Sequence, residues 1–217
     1  MARALKFLLS LALAIFASAG LYVAWLSVAT SRLENLLYAQ ASGELDSRRW
    51  NEAKLQASAL ANAAGWDAAT LDLAGRVFLL DAESASTPQV NIQALRKAQG
   101  YLERAALQRP TWPYTRLNLA RVVFALDVHG GWEKQLEHAL ALNLRGTFLQ
   151  IDLLKFRRQL GLRLTGQLAR AVEQNFVQAL QDAPDEMVRA AVDLGRKEWA
   201  CATPINRRVK LLCVNSY

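Results

Sequence analysis

An internal repeat at an offset of 46 residues constrains this chain more than any other feature of its sequence. Between 59–81 and 105–127, nine of the 23 paired positions are identical. The clearest part is Leu73–Asp81 (LAGRVFLLD), which returns as Leu119–Asp127 (LARVVFALD). A single helical unit cannot bury its apolar face alone, so a copied unit indicates stacked helices. The repeat therefore favours binding or assembly over an active site.

Helical periodicity extends over nearly all of the chain after residue 30, and strand patterns are almost absent. Residues 82–92 (AESASTPQVNI) form the clearest predicted loop, because Ser and Thr are frequent there and Pro88 is included. The sequence therefore predicts an all-α fold with short connections. The predicted helices are 31–42, 47–64, 67–81, 93–108, 114–127, 132–142, 148–160, 165–180 and 184–199.

The second helix of the repeat has a recognisable spacing of small residues. Ala98 and Ala105 precede Pro110, and a Leu-Ala pair follows at 119–120. This spacing resembles a tetratricopeptide repeat, in which antiparallel helical hairpins stack side by side. The offset of 46 residues exceeds the usual period of roughly 34 residues, and the loop at 82–92 accounts for the excess. The alternative is an amphipathic helical bundle without repeat geometry.

Aromatic residues recur at the ends of the repeated helices. Trp66 and Trp112 occupy equivalent positions of the two copies. Tryptophan also suggests sugar stacking, but equivalent repeat positions favour packing between neighbouring units. We therefore predict an architectural role for Trp66, Tyr101, Trp112 and Tyr114.

The N-terminal segment is apolar enough to cross a membrane. Residues 7–31 carry no charge, and Phe7–Val28 reads FLLSLALAIFASAGLYVAWLSV. About 20 apolar residues cross a bilayer core. Because Arg3 and Lys6 precede the segment, the positive-inside rule predicts a cytoplasmic N-terminus and an exported C-terminal part. Trp25 lies near the outer end of this segment, where aromatic residues are common.

A cleaved signal peptide is the alternative interpretation of this segment. Met1–Lys6 would be its basic region, Phe7–Phe16 its apolar region, and Ala17–Ala19 its cleavage site. We favour an uncleaved anchor, because the apolar run continues for about ten residues past Ala19, which a cleaved signal does not need. Both interpretations export the rest of the chain.

The chain has only two cysteines, Cys201 and Cys213, without the spacing of a zinc site. In an oxidising compartment they would pair and close a short loop near the end of the chain. Two separate buried thiols are the alternative. We predict the disulfide, provided that this part of the chain is exported.

Signals for catalysis, metal binding and cofactor binding are missing from the sequence. The only histidines are His129, in a predicted turn, and His138, on a predicted helix, and neither has a metal-ligand spacing. Nucleophile motifs and glycine-rich phosphate loops are absent. The net charge of +7 is spread along the chain without a block of like charges, so a nucleic-acid partner is not expected. We predict no enzyme, no cofactor and no metal.

Basic residues on two predicted helices are the candidate contacts for a partner. Arg116 and Arg121 flank apolar residues on the first helix of a repeat, the element that lines the concave face of such arrays. Lys155, Arg157 and Arg158 lie on an amphipathic helix that would suit an anionic membrane surface or an acidic polysaccharide. The alternative for this helix is ordinary packing with a solvated basic edge.

The whole pattern resembles the VpsP family of bacterial polysaccharide biosynthesis proteins. The resemblance rests on the single span, the divergent repeats, the phrase at 101–114 (YLERAALQRPTWPY) and the late cysteine pair, and it is sharpest in Ala98–Ala120 and Pro184–Cys201. It implies an accessory or scaffold role in making or exporting an exopolysaccharide, with no catalytic residues. The partners implied are other proteins of that machinery, and an acidic polysaccharide is a further candidate.

These inferences give a four-part organisation. Residues 1–30 form a membrane anchor, 31–43 a helical linker, 44–145 an array of tetratricopeptide-like hairpins, and 146–217 a C-terminal helical cap. The predicted location is the bacterial inner membrane, with the C-terminal part in the periplasm. The alternatives are a periplasmic protein that binds or modifies polysaccharide directly, and a general subunit of an envelope complex.

Overall fold

The computed structural model describes residues 2–85, 87–126, 131–142, 147–195, 197–202 and 207–215. Helices form nearly all of these residues, and no strand occurs within the ranges just given. The predicted all-α class is therefore confirmed. The chain divides into two units, Met1–Arg109 and Pro110–Tyr217. The predicted boundaries at residues 30, 43 and 145 stay predictions.

The described residues of the first unit form four helices. They are α1 (Ala2–Ala41), α2 (Ser47–Ala63), α3 (Ala68–Glu83) and α4 (Pro88–Gln108). Among the described helices, only α1 is long and apolar enough to span a membrane, with a mean hydropathy of 2.0 in its most apolar stretch.

Capping residues set where the helices of the first unit begin. The side chain of Asp46 accepts a hydrogen bond from Arg49 N, and that of Asp67 accepts one from Thr70 N. Such oxygens satisfy backbone N–H groups that have no partner within the helix. The cap predicted at Asp67 therefore matches the structure.

The core of the first unit follows the helical spacing of its apolar residues. The α3–α4 pair packs closely because small residues face large ones, with Gly75 against Leu102. The largest side chains that this unit buries almost completely are Leu33, Leu71, Val77, Leu95 and Leu102. Leu33 belongs to α1, so the C-terminal part of α1 is a component of this core.

The second unit begins with the hairpin of α5 (Pro113–Ala125) and α6 (Gly131–Ala141). Phe124 of α5, Trp132 of α6 and Phe156 of α7 (Thr147–Leu160) meet edge to face, with ring centroids 5.7 to 6.4 Å apart. Edge-to-face packing is a preferred arrangement of aromatic rings. This cluster joins α7 to the hairpin.

Four further α-helices occur among the described residues of the second unit: α8 (Gly166–Asp182), α9 (Pro184–Asp193), α10 (Lys197–Ala202) and α11 (Arg207–Asn215). They enclose a second apolar core that includes Leu154, Phe176, Leu180, Met187, Val188, Ala200 and Val209. The Sγ atoms of Cys201 and Cys213 are joined, which links α10 to α11.

Two predicted boundaries are wrong. The loop predicted at 82–92 is shorter, because α4 begins at Pro88 with Thr87 as its cap. Proline fits the first turn of a helix, where its missing N–H costs nothing. The helix predicted at 184–199 is broken, because Gly195 has a φ of +65° that ends α9.

Candidate binding groove

A groove of about 880 Å³ lies between α6 and α8 in the second unit. The opposite face of α8 is apolar and buried, so packing against α7 and α9 fixes which residues α8 turns toward the groove. The residues that line it are Glu137, Leu140, Ala141, Gln167, Leu168, Arg170, Ala171, Gln174, Asn175 and Gln178.

Side-chain amides are frequent in the lining of the groove. Four of the ten lining residues that the structure describes are Gln or Asn, all of them on α8, and four others are Leu or Ala. Each amide has two N–H donors and one oxygen acceptor, so a row of them can bind groups that both donate and accept. The charged residues are Glu137 on one wall and Arg170 on the other. The lining therefore suits a neutral polar chain better than a highly charged ligand.

Hydrogen bonds hold the amide face of α8 in place. Gln150 Nε2 of α7 donates a hydrogen bond to Oδ1 of Asn175, and Gln150 is 4% exposed. One turn further along α8, Gln178 Nε2 donates to Asp182 Oδ1 at 3.0 Å. Asn175 is thus oriented by a buried partner. Gln174 is exposed one turn before Gln178 and lines the groove.

The predicted contacts on α5 are partly occupied within the second unit. Arg116 Nη1 donates to Gln135 Oε1 of α6 at 3.1 Å, and Arg121 Nη1 donates to Asn118 Oδ1 at 3.3 Å. Both arginines are half-buried. The Arg116 contact ties α5 to α6, whereas the Arg121 contact lies within α5, and neither arginine lines the α6–α8 groove.

The predicted contacts on α7 divide into one half-buried and two exposed residues. Arg157 forms an ion pair with Glu173 of α8, and its side chain is 21% exposed. Lys155 is exposed with its Nζ 3.9 Å from Asp152 Oδ1, and Arg158 is also exposed. The structure therefore does not bring the five predicted basic residues together on one surface. Their role in binding stays a prediction.

The four aromatic residues with a predicted architectural role have different surroundings. Tyr101 of α4 stacks on Phe78 of α3, with centroids 5.8 Å apart, and Trp112 lies 5.5 Å from Tyr114. Trp66, in contrast, is 65% exposed in the turn between α2 and α3. The packing predicted for Trp66 is wrong, because its side chain stays exposed although Gln108 of α4 donates a hydrogen bond to the neighbouring Gly65 O.

A smaller groove of about 410 Å³ lies between α2 and α4 in the first unit. Lys54 and Lys97 are on its walls, and Asp81 and Phe78 of α3 form its floor. Lys54 Nζ lies 2.8 Å from Asp81 Oδ1, and Lys97 Nζ lies 5.1 Å from the centroid of the Phe78 ring. Both cations are therefore engaged by the chain itself.

Among the described residues, Asp185 and Arg208 form a pair whose pKa values are shifted. The pKa of the Asp185 carboxyl is lowered by a hydrogen bond from Arg208 and by the charges of Arg208 and Arg189. The same contact raises the pKa of Arg208. This is an exposed ion pair between α9 and α11. His138 is exposed on α6, His129 lies outside the described residues, and no metal-binding cluster of His, Cys, Asp or Glu occurs among those described.

The comparison with solved structures decides the type of helical fold. The chain is similar to a thermophilic tetratricopeptide-repeat protein of Thermus thermophilus, whose crystal structure gives a TM-score of 0.55 at 21% sequence identity. The similarity covers 82% of this chain and 93% of that chain. The fold is tetratricopeptide-like. No protein-family model matches the sequence, and no curated protein matches it.

Proposed function

We propose that this chain is a membrane-anchored scaffold without catalytic activity, which binds another protein of an exopolysaccharide assembly or export machinery. The α6–α8 groove is the observation that carries the proposal, because it offers a row of amides on a tetratricopeptide-like fold. The fold supports protein binding in general terms. The link to exopolysaccharide depends on the VpsP resemblance in Ala98–Ala120 and Pro184–Cys201.

A polypeptide segment is the ligand that best fits the groove. Peptide N–H and C=O groups alternate donors and acceptors, and Gln and Asn side chains can pair with both. Leu140, Leu168 and Ala171 add apolar surface for the side chains of such a segment. The groove volume of about 880 Å³ lies within the range of specific ligand sites.

Direct binding of polysaccharide is the second candidate function. Amides also bind sugar hydroxyls, which supports it. However, the ten lining residues described include no aromatic side chain, so they offer no flat apolar face on which a sugar ring can stack. We therefore rank the polypeptide first, and the two functions differ in a direct test with the purified polysaccharide, which a protein-binding scaffold does not bind.

The anchored topology is part of the proposal. Helix α1 would cross the inner membrane with its N-terminus in the cytoplasm, and the rest of the chain would lie in the periplasm. Alkaline phosphatase fused after Ser42 is expected to be active. An inactive fusion of normal abundance would contradict this orientation.

Substitution within the groove tests the binding function. The double variant Q174A/Q178A removes two amides from the lining, each worth about 1 kcal/mol, so affinity for the partner should fall about 30-fold. The matched control is Q159A/Q181A, because both residues are exposed glutamines outside the groove. Co-purification of the partner and the yield of exopolysaccharide should fall for the first variant alone. Equal values for both variants would reject the groove as the binding site.

A further inference from the structure

One end of the first unit has exposed apolar residues close to the point where α1 leaves it. Trp66, in the α2–α3 turn, is 65% exposed, and Leu107, in the last turn of α4, is 82% exposed. The side-chain amide of Gln108 donates a hydrogen bond of 2.8 Å to Gly65 O, which holds the turn and the end of α4 together. These two segments therefore form one surface.

Helix α1 passes the same end of the unit. The hydroxyl of Tyr22 donates a hydrogen bond of 2.8 Å to Ala63 O, at the C-terminal end of α2. From Tyr22 onward α1 packs into the unit, since Leu26, Leu33 and Leu37 are 8% exposed or less. Before Tyr22, the described α1 side chains from Leu9 are exposed. The α2–α3 turn thus lies where the packed part of α1 gives way to the exposed apolar part.

The length of the membrane span sets the depth of this turn. If the span begins at Phe7, after the charge of Lys6, about 20 residues are needed to cross the bilayer core, and it ends near Leu26. Tyr22 then lies about 6 Å below the outer boundary of the core. Because helical side chains lean toward the N-terminus, the Tyr22 hydroxyl and its partner Ala63 lie no higher than that. On this count the turn that follows Ala63 reaches at least the interface between headgroups and acyl chains.

We propose that the Ala63–Trp66 turn and the end of α4, which includes Leu107, form a membrane-contacting surface seated on the outer leaflet around α1. This inference rests on the anchoring of α1 proposed above, and it explains why Trp66 is exposed despite its place in the repeat. Tryptophan is enriched at membrane interfaces because its ring is apolar and its N–H is polar. Tyr22 and Trp25, about one turn apart on α1, have ring centroids 5.8 Å apart.

Charge on this end suits a phospholipid surface. The exposed Arg104 lies over the α2–α3 turn, where a Cβ on Gly65 would come within 2.5 Å of its Nη2. Arg109 follows α4 directly and is also exposed. Arginines beside apolar residues that enter the interface can bind lipid phosphates, as in other peripheral membrane contacts. The occupant of this surface is therefore the bilayer rather than a protein.

Fluorescence quenching in vesicles tests this surface. The full chain is reconstituted into phosphatidylethanolamine and phosphatidylglycerol vesicles after an environment-sensitive fluorescent amino acid has replaced Leu107, Val90 or Phe16 in three separate variants. Val90 is the matched control, because it is an exposed apolar residue of α4 about 26 Å away, near the opposite end of the helix. The label at Phe16 reports whether the membrane span is inserted in the bilayer.

The Leu107 label should be quenched by spin-labelled lipid and protected from aqueous iodide. The Val90 label should be quenched by iodide alone, and the Phe16 label by spin-labelled lipid alone. If the Leu107 label behaves like the Val90 label while the Phe16 label is quenched by lipid, the anchor holds and the surface proposal is overturned. If iodide alone quenches all three labels, the anchor fails and the surface proposal fails with it.

Discussion

The indole Nε1 of Trp50 donates a hydrogen bond of 2.9 Å to Oδ1 of Asp81, and Lys54 Nζ lies 2.8 Å from the same oxygen. Trp50 is 5% exposed, and the Asp81 side chain is 12% exposed. Asp81 belongs to the repeated sequence, and in this copy it ties α3 to α2. The equivalent Asp127 lies outside the described residues.

Replacing Trp50 with Phe should destabilise the first unit, because Asp81 then loses a donor in a mostly buried setting. A hydrogen bond to a charged group contributes about 1.5 to 3 kcal/mol. The midpoint of urea unfolding, followed by circular dichroism in detergent, measures the change. The control W66F alters an exposed residue and should shift stability by less than about 0.5 kcal/mol. Equal shifts for the two variants would contradict the assigned role of the Trp50–Asp81 bond.

Two glycines of the α3–α4 pair should respond in opposite directions to Ala. A Cβ on Gly75 would lie 2.5 Å from Leu102 Cγ, so G75A should destabilise by about 1 to 3 kcal/mol through overpacking. A Cβ on Gly100 meets nothing within 4 Å, so G100A should stabilise α4 by about 0.5 to 1 kcal/mol. Thermal unfolding of both variants measures the difference. Similar behaviour would show that α3 and α4 do not pack as described.

The Cys201–Cys213 bond should be detectable by mass spectrometry after alkylation. The denatured chain should take up no alkylating agent without reductant and two equivalents after reduction. Since the cysteines are only 12 positions apart in the sequence, loss of the bond should cost at most about 3 kcal/mol. Two equivalents bound without reductant, in protein prepared from the periplasm, would contradict the pairing.

The attachment of α11 to α9 should weaken in acid. Because Arg208 lowers the pKa of Asp185 in the folded state, the carboxylate stabilises the fold above its ordinary pKa of 3.8, and this contribution is lost as pH falls through the lower folded value. Hydrogen exchange of α11 amides measures the loss. In D185N the protection of α11 should be lower near neutral pH and should show less change in acid. An unchanged acid response in D185N would exclude this pair as the cause.

The sequence predicts most of the fold because helical packing leaves a periodic pattern. The repeated Leu-Ala pairs and the small residues facing Leu102 are signals of this kind, because two helices pack closely where small residues of one face large residues of the other. The boundaries at Pro88 and Gly195 were harder to predict. Proline occurs both after the end of a helix and in the first turn of one. A glycine that ends a helix is recognised by its positive φ, which the sequence does not show.

The groove left no comparable signal in the sequence. Its residues come from 137–141 and 167–178, and only the packing of α8 brings the two segments together. Exposed glutamines on a helix are indistinguishable in sequence from solvated positions. The sequence instead favours the basic residues as partner contacts, but Arg157 forms an ion pair with Glu173 in the structure. The amphipathic pattern of α8, with a strongly apolar face opposite a row of amides, is the feature of the sequence that relates to the groove.

Photocrosslinking in intact cells tests the scaffold function most directly. A photoreactive amino acid at Gln174 lies in the groove, and one at Gln159, on the exposed side of α7, is the control. We predict that Gln174 yields one defined protein adduct, identified as an exopolysaccharide assembly or export protein, and that Gln159 does not. The same adduct should disappear when Gln178 is also replaced by Arg. A carbohydrate adduct at Gln174, or identical adducts from both positions, would contradict a protein-binding groove.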